Sequence, residues 1–167
     1  EGDIPVAPSV IGRVLEPGHD VLIEDGRIRL RVESVVGGRA TCAVVVGGTV
    51  KTHKGVNLPG VPLPIPSLTE KDRADLDVAV EIGVDYVALS FVRSAADVRE
   101  LRALLEERGS SAHVIAKIEK AEAVESLDAI LGESHAVMVA RGDLGVEIGV
   151  AEVPLLQKRI IARALEL

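Results

Sequence analysis

Seven residues, Gly60 to Pro66 (GVPLPIP), contain three prolines. Proline has a fixed φ and no backbone N–H, so neither a helix nor a central strand can run through this stretch, which reads as a linker. The hydrophobic period changes across it, and that change constrains the fold more than any other feature. A small all-β module is expected over 1–60 and a β/α segment over 61–167.

Before the linker the period is two. In Arg27-Ile28-Arg29-Leu30-Arg31-Val32 the apolar side chains fall on one face and the arginines on the other, as in a half-buried strand. Asp25-Gly26 joins it to Val21-Leu22-Ile23 as a hairpin, and Gly37-Gly38 and Gly47-Gly48 bracket a third strand from Ala40 to Val46.

After the linker, helical stripes alternate with short apolar runs. Thr69 with Asp72, and Ser94 with Asp97, have capping-box spacing. The first opens a helix carrying Leu76, Ala79 and Val80 that ends at Gly83. The second opens one carrying Val98, Leu101, Leu104 and Leu105 that ends at Gly109. The runs Tyr86 to Phe91, Val114 to Ile118 and Ala136 to Ala140 read as strands. Helices with Val124, Leu127, Ile130 and Leu131, and with Val153, Leu156, Ile160, Ile161 and Leu165, follow the last two. Three apolar strands separated by helices predict right-handed βαβ units in a parallel sheet. Periodicity alone leaves open whether that sheet is open or part of a (β/α)₈ barrel.

Composition removes several classes of function. Over 167 residues, 47% hydrophobic and 27% charged is a globular balance, and a net charge of -7 disfavours nucleic-acid phosphates. Tyr86 and Phe91 are the only aromatics, leaving little for bases to stack on. Cys42 is the single cysteine, which excludes an intrachain disulfide and fits a reduced, cytoplasmic setting. No apolar run approaches the ~20 residues of a membrane span, and no leader pattern precedes Ile4. The chain begins with Glu1, so position 1 is not expected to be a native start.

Ligands of parallel sheets bind beyond the carboxyl ends of the strands. Ile115-Ala-Lys117-Ile-Glu119 puts Lys117 and Glu119 on one face at such an end, and the next strand is expected to end in Arg141-Gly142-Asp143. If the two strands are neighbours, ~4.8 Å apart, Glu119 and Asp143 can converge on one hard cation, Mg²⁺ or Mn²⁺. Lys117 would lie beside it, aimed at the oxygen the metal binds. Such a trio suits a phosphate or enolate oxygen whose charge develops during reaction. Gly142, lacking a β-carbon, allows close backbone approach and offers an N–H to a carboxylate.

The same residues admit plainer readings. Lys117 and Glu119 could be an ion pair capping the sheet, and Asp143 the N-cap of a turn toward Glu147. Arg141-Gly142-Asp143 is also an adhesion tripeptide, but it directly follows an apolar strand and the chain shows no mark of secretion; burial of Arg141 would dismiss that reading. Gly47-Gly-Thr-Val-Lys51-Thr52 lacks phosphate-loop spacing, no GxGxxG is present, and His19, His53, His113 and His135 have no ligand spacing.

Four stretches, in order, resemble pyruvate kinase: Lys54-Gly-Val-Asn57-Leu-Pro59-Gly60, Ser90-Phe-Val-Arg93, Ile115-Ala-Lys117-Ile-Glu119, and Met138-Val-Ala-Arg141-Gly142-Asp143-Leu-Gly145-Val-Glu147-Ile148. The resemblance covers the chain from about Leu15 and implies an α/β fold: part of a (β/α)₈ TIM barrel with a small all-β inserted lid. It implies phosphoryl transfer from phosphoenolpyruvate to ADP, giving pyruvate and ATP in glycolysis. Lys117 would then stabilise the transferring phosphoryl and the enolate oxygen. Glu119 and Asp143 would hold Mg²⁺ or Mn²⁺, the backbone at Gly142 and Asp143 would take the substrate carboxylate, and Lys54, at the hinge of the lid, would contact the nucleotide. These roles fit a reaction carried by positioning and charge.

Lys120, Ala123 and Gly149 depart from residues common in the family. The family's K⁺ ligands, further barrel strands and regulatory domain would lie outside this chain, whose parent would be a homotetramer. A complete barrel needs ~250 residues, so the isolated chain is expected to be an inactive piece of the enzyme. A lyase or aldolase of the phosphoenolpyruvate/pyruvate barrel group is the alternative enzyme, although it leaves the β module unexplained. A non-catalytic remnant serving as a binding module is the alternative outside catalysis.

Overall fold

The structure, a computed structural model, describes residues 2–167. Contacts divide the chain into two compact units, one ending at Ile65 and the other running from Pro66 to Leu167.

The first unit contains a one-turn helix α1 (Ile11–Val14) and four strands, β1 (Asp20–Ile23), β2 (Ile28–Val36), β3 (Arg39–Val46) and β4 (Val56–Asn57). They form a wholly antiparallel sheet in the order β3-β2-β1-β4. The alternation in β2 works as expected: Ile28 and Val32 are buried with Ile11, Leu15, Val21, Ile23, Leu58 and Val61. Arg29 and Arg31 stay outside the core and clasp Asp20 at 2.6 and 2.5 Å. Ile23 pairs with Ile28, so β1 and β2 are joined by the loop Glu24 to Arg27 rather than by Asp25-Gly26 alone. Glu24, Asp25 and Gly26 all take left-handed φ, at 54, 56 and 83°. Gly37-Gly38 makes the two-residue turn between β2 and β3, with φ of 59 and 81°, as a hairpin matched to the strand twist requires. Gly12 of α1 sits so close to this turn that a β-carbon there would lie 1.9 Å from the Gly38 carbonyl oxygen.

The second unit alternates helix and strand: α2 (Glu70–Ile82), β5 (Tyr86–Leu89), α3 (Ala95–Glu107), β6 (His113–Ile118), α4 (Ala121–Glu125), α5 (Leu127–Glu133), β7 (Ala136–Val139), α6 (Arg141–Ile148) and α7 (Val153–Glu166). The three strands form a parallel sheet in the order β5-β6-β7. Val114, Ala116 and Ile118 of β6 are fully buried and join Leu89, Val98, Leu101, Leu105, Ile130 and Ile160 in one core.

Both capping boxes form. Asp72 accepts from the Thr69 N–H at 2.8 Å while Thr69 Oγ1 accepts from the Asp72 N–H at 3.1 Å. Asp97 accepts from the N–H groups of Arg93 and Ser94 at 2.9 and 3.0 Å. Burial pushes the Asp97 carboxyl up, but bonds from Ser67, Arg93 and Ser94 outweigh it and hold the group below the usual carboxylate value. Gly83 closes α2 with φ 77°. This unit departs from the sequence reading in three ways: β5 stops at Leu89 and β7 at Val139, short of Phe91 and Ala140; the helix after β6 is broken at Ser126; and Arg141 to Ile148 is helical.

Candidate functional site

Because β6 alternates, burying Val114, Ala116 and Ile118 turns Ile115 and Lys117 to the other face of the sheet, with Glu119 following at the strand's carboxyl end. There Glu119 is 1% exposed, the one charged residue among those described whose backbone and side chain together are buried. A carboxylate held that far from water requires compensation. Its Oε2 accepts from the Phe91 N–H at 2.8 Å, and its Oε1 lies 2.5 Å from Lys117 Nζ. That contact has ion-pair distance without hydrogen-bond geometry, so Oε1 is a buried oxygen with no aligned donor. Lys117 Nζ donates instead to Ser90 Oγ at 2.8 Å. Phe91 turns its N–H toward Glu119 with φ 54°, a left-handed conformation that is strained for a bulky side chain.

The neighbouring strand supplies the second carboxylate. β6 and β7 pair in register, Lys117 beside Met138 and Ile118 beside Val139, and the Ala140 N–H extends the ladder to the Ile118 carbonyl at 3.2 Å. The condition that the two strands be neighbours therefore holds. Arg141-Gly142-Asp143 does not end the strand, however: β7 stops at Val139 and the tripeptide forms the first turn of α6. The plainer reading of Asp143 as an N-cap is not what occurs either, because Ala140 is the cap residue and has no side chain to cap with. Two glycines weaken this helix by about 1 kcal/mol each relative to alanine. Packing compensates: Leu144 is fully buried, and Gly145 is buried with room for no more than a β-carbon in ordinary contact with Val150 and Val153.

Asp143 is half-buried and Gly142 exposed. At the start of a helix the first N–H groups have no intrahelical acceptor and the dipole favours an anion, so the backbone at Gly142 and Asp143 is suited to a carboxylate. Among the described residues no group of three or more His, Cys, Asp or Glu is disposed to hold a metal. Glu119, just past β6, and Asp143, in the first turn of α6 after β7, are the two acids that follow these neighbouring strands.

Lys54 belongs to the first unit, where its Nζ lies 2.7 Å from Glu24 Oε1. That bond holds the Glu24 carboxyl below its usual range. The Glu24 N–H donates to the Gly55 carbonyl at 3.1 Å, fixing the loop against the segment that carries Lys54. His113 and His135, 22 residues apart in sequence, meet with ring centroids 4.4 Å apart and planes tilted by 57°, and His135 Nδ1 accepts from the Val114 N–H at 3.0 Å. This is the amino edge of the sheet, opposite the charged residues.

Ser90, the Phe91 N–H and a buried ion pair between Lys120 and Glu147 were not evident from spacing. Ser90 and Phe91 lie in the second of the four family-like stretches, Ser90-Phe-Val-Arg93, but nothing local indicates that a backbone N–H would be turned to a distant glutamate. Arg141 is exposed, so burial does not dismiss the adhesion tripeptide. The three residues form the first turn of a helix rather than a displayed loop.

The second unit is an α/β unit whose parallel sheet carries the Lys117–Glu119 pair and the acidic first turn of α6 at its carboxyl edge. Residues 3–167 match the family model described as pyruvate kinase, barrel domain, and the chain belongs to the pyruvate kinase family. It is 51% identical over 150 residues to a pyruvate kinase of Corynebacterium efficiens, covering 90% of this chain and 32% of that protein. With a pyruvate kinase of Agrobacterium vitis it shares 51% identity over 159 residues, covering 95% and 32%. With one of Clostridium perfringens it shares 45% over 150 residues, covering 89% and 32%. The chain thus spans about a third of the length of these curated relatives. No helix among the described residues is long and apolar enough to cross a membrane.

Proposed function

We propose that this chain carries the metal- and phosphate-handling part of a pyruvate kinase active site, for transfer of phosphoryl from phosphoenolpyruvate to ADP. In this reading the second unit is a sector of a (β/α)₈ barrel and the first is its small lid. The observation that carries the reading is Glu119: a carboxylate 1% exposed at a strand's carboxyl end, with one oxygen lacking an aligned donor and a lysine 2.5 Å away.

Glu119 and Asp143 would hold the divalent ion, and the donor set fits a hard cation because both ligands are carboxylates. Mg²⁺ or Mn²⁺ bound there would neutralise charge on the phosphoryl and enolate oxygens. Lys117, held by Ser90 and Glu119, brings a positive charge whose position is already set before reaction, so little reorganisation is needed as the enolate oxygen gains charge. The first-turn N–H groups at Gly142 and Asp143 would orient the substrate carboxylate. Lys54 would contact the nucleotide, exchanging Glu24 for a phosphate oxygen. K⁺ is expected from the family and is assigned to none of these residues.

The test is Mn²⁺ binding, by electron paramagnetic resonance, to the chain and to a Glu119→Gln, Asp143→Asn double variant. The expected result is binding by the parent that weakens by a factor of about 100 or more when both carboxylates are lost, since removing two charged ligands exceeds the tenfold to hundredfold cost of disturbing supporting residues. Equal binding by both, or none by the parent, would contradict the assignment.

A further inference from the structure

Lys120 and Glu147 form an ion pair whose side chains are 15% and 2% exposed. Lys120 directly follows Glu119, and Glu147 lies four residues after Asp143, one turn along the same face of α6. The pair therefore links the backbone beside one candidate metal ligand to the helix face carrying the other. α6 needs such a link. It has two glycines, no side-chain cap at Ala140 and no basic residue in its last turn. Its cap residue is tied to β6 by the Ala140 N–H bond to the Ile118 carbonyl. A charge pair buried this deeply adds little net stability compared with an apolar contact, so stability alone does not account for it.

We propose that Lys120 and Glu147 are positioning residues, a clasp that fixes the separation of Glu119 and Asp143 and the direction of the α6 N-terminus, and so sets the affinity for the divalent ion. This rests on the metal-site reading above. Neither side chain touches the metal: Lys120 is cationic, and it keeps the Glu147 carboxylate engaged as a tether.

The experiment measures Mn²⁺ affinity by electron paramagnetic resonance, with far-ultraviolet circular dichroism and thermal midpoint on the same samples. The variants are Lys120→Met, Glu147→Gln and the double variant, which leaves no unpaired charge behind. Each is expected to weaken Mn²⁺ binding about tenfold, the double no more than the weaker-binding single, with the dichroism of the parent. If the double variant does not fold, Lys120→Arg, which keeps charge and donors, is expected to stay within about twofold of the parent while Glu147→Gln does not. A double variant that binds Mn²⁺ as the parent does, whatever its thermal midpoint, overturns the clasp and leaves the metal site standing. A parent that binds no Mn²⁺ overturns the metal site and the clasp with it.

Discussion

The two units use the same strand alternation for opposite purposes. In the first, the polar side of β2 faces outward, and Arg29 and Arg31 meet Asp20 with side chains 41, 44 and 22% exposed. In the second, the polar side of β6 ends in Glu119, almost wholly withdrawn from water and paired with Lys117. An exposed pair costs little to form and contributes about 1 kcal/mol or less. A buried charge costs several kcal/mol unless paired and hydrogen-bonded, and it persists where the protein has a use for it. The ion pairs at the carboxyl edge of the parallel sheet are therefore set apart by their burial rather than by their number.

The comparison breaks most directly if the two cores are not separate. Ile23 in the first and Ile118 in the second are each nearly inaccessible, so Ile→Ala at either is expected to cost about 4 kcal/mol. Each unit carries its own probe: Tyr86, the single tyrosine, in the second, and Cys42, the single cysteine, in the first. In urea titrations Ile118→Ala should shift the Tyr86 transition, while Ile23→Ala should speed alkylation of Cys42. If both probes move together in both variants, the units unfold as one.

A smaller effect sharpens the contrast between the ion pairs. Lys117→Met strands Glu119 as a buried charge and is expected to cost about 2–3 kcal/mol near neutral pH, toward the low end for a buried pair because Lys117 is 24% exposed. Arg31→Met should cost under about 1 kcal/mol. Chemical denaturation of the two variants checks the ranking, and equal losses would refute it.

The smallest effect lies at the amino edge of the parallel sheet. Burial, then the nearby charges of His113 and Arg102, lowers the pKa of His135, and a protonated ring cannot accept from the Val114 N–H. Arg102 is itself paired with Glu133. The folded pKa is depressed, so His135 contributes stability that is full above its unfolded value of about 6.5 and is lost as pH falls through the folded value. Urea midpoints of the parent should drop more between about pH 7.5 and 5.5 than those of His135→Leu, and parallel drops would show that His135 plays no part.

Much of this was legible wherever a short-range rule governs. Thr69 with Asp72 and Ser94 with Asp97 give α2 and α3 their starts from spacing alone, and Gly37-Gly38 marks the break before β3 because glycine readily takes the left-handed φ found there. Lys117 and Glu119 could be placed on one face because a strand has period two. The helix from Arg141 to Ile148 was not legible: Gly142 and Gly145 argue locally against it, and the burial of Leu144 and the Lys120 tether act from elsewhere in the chain. Phe91 is similar, since its left-handed turn is supported by a glutamate 28 residues away. Glu24 as the partner of Lys54 likewise required the loop of β1 and β2 to be closed first.

The central claim is that the ends of β6 and β7 build one metal site, and the most direct measurement is Mn²⁺-induced broadening of backbone amide signals by nuclear magnetic resonance. The account predicts that the amides of Phe91, Lys120, Gly142 and Asp143 broaden first, while those of Val114 and His135 at the amino edge of the same sheet stay sharp. Broadening centred on the amino edge, or spread evenly over the acidic surface, would contradict it.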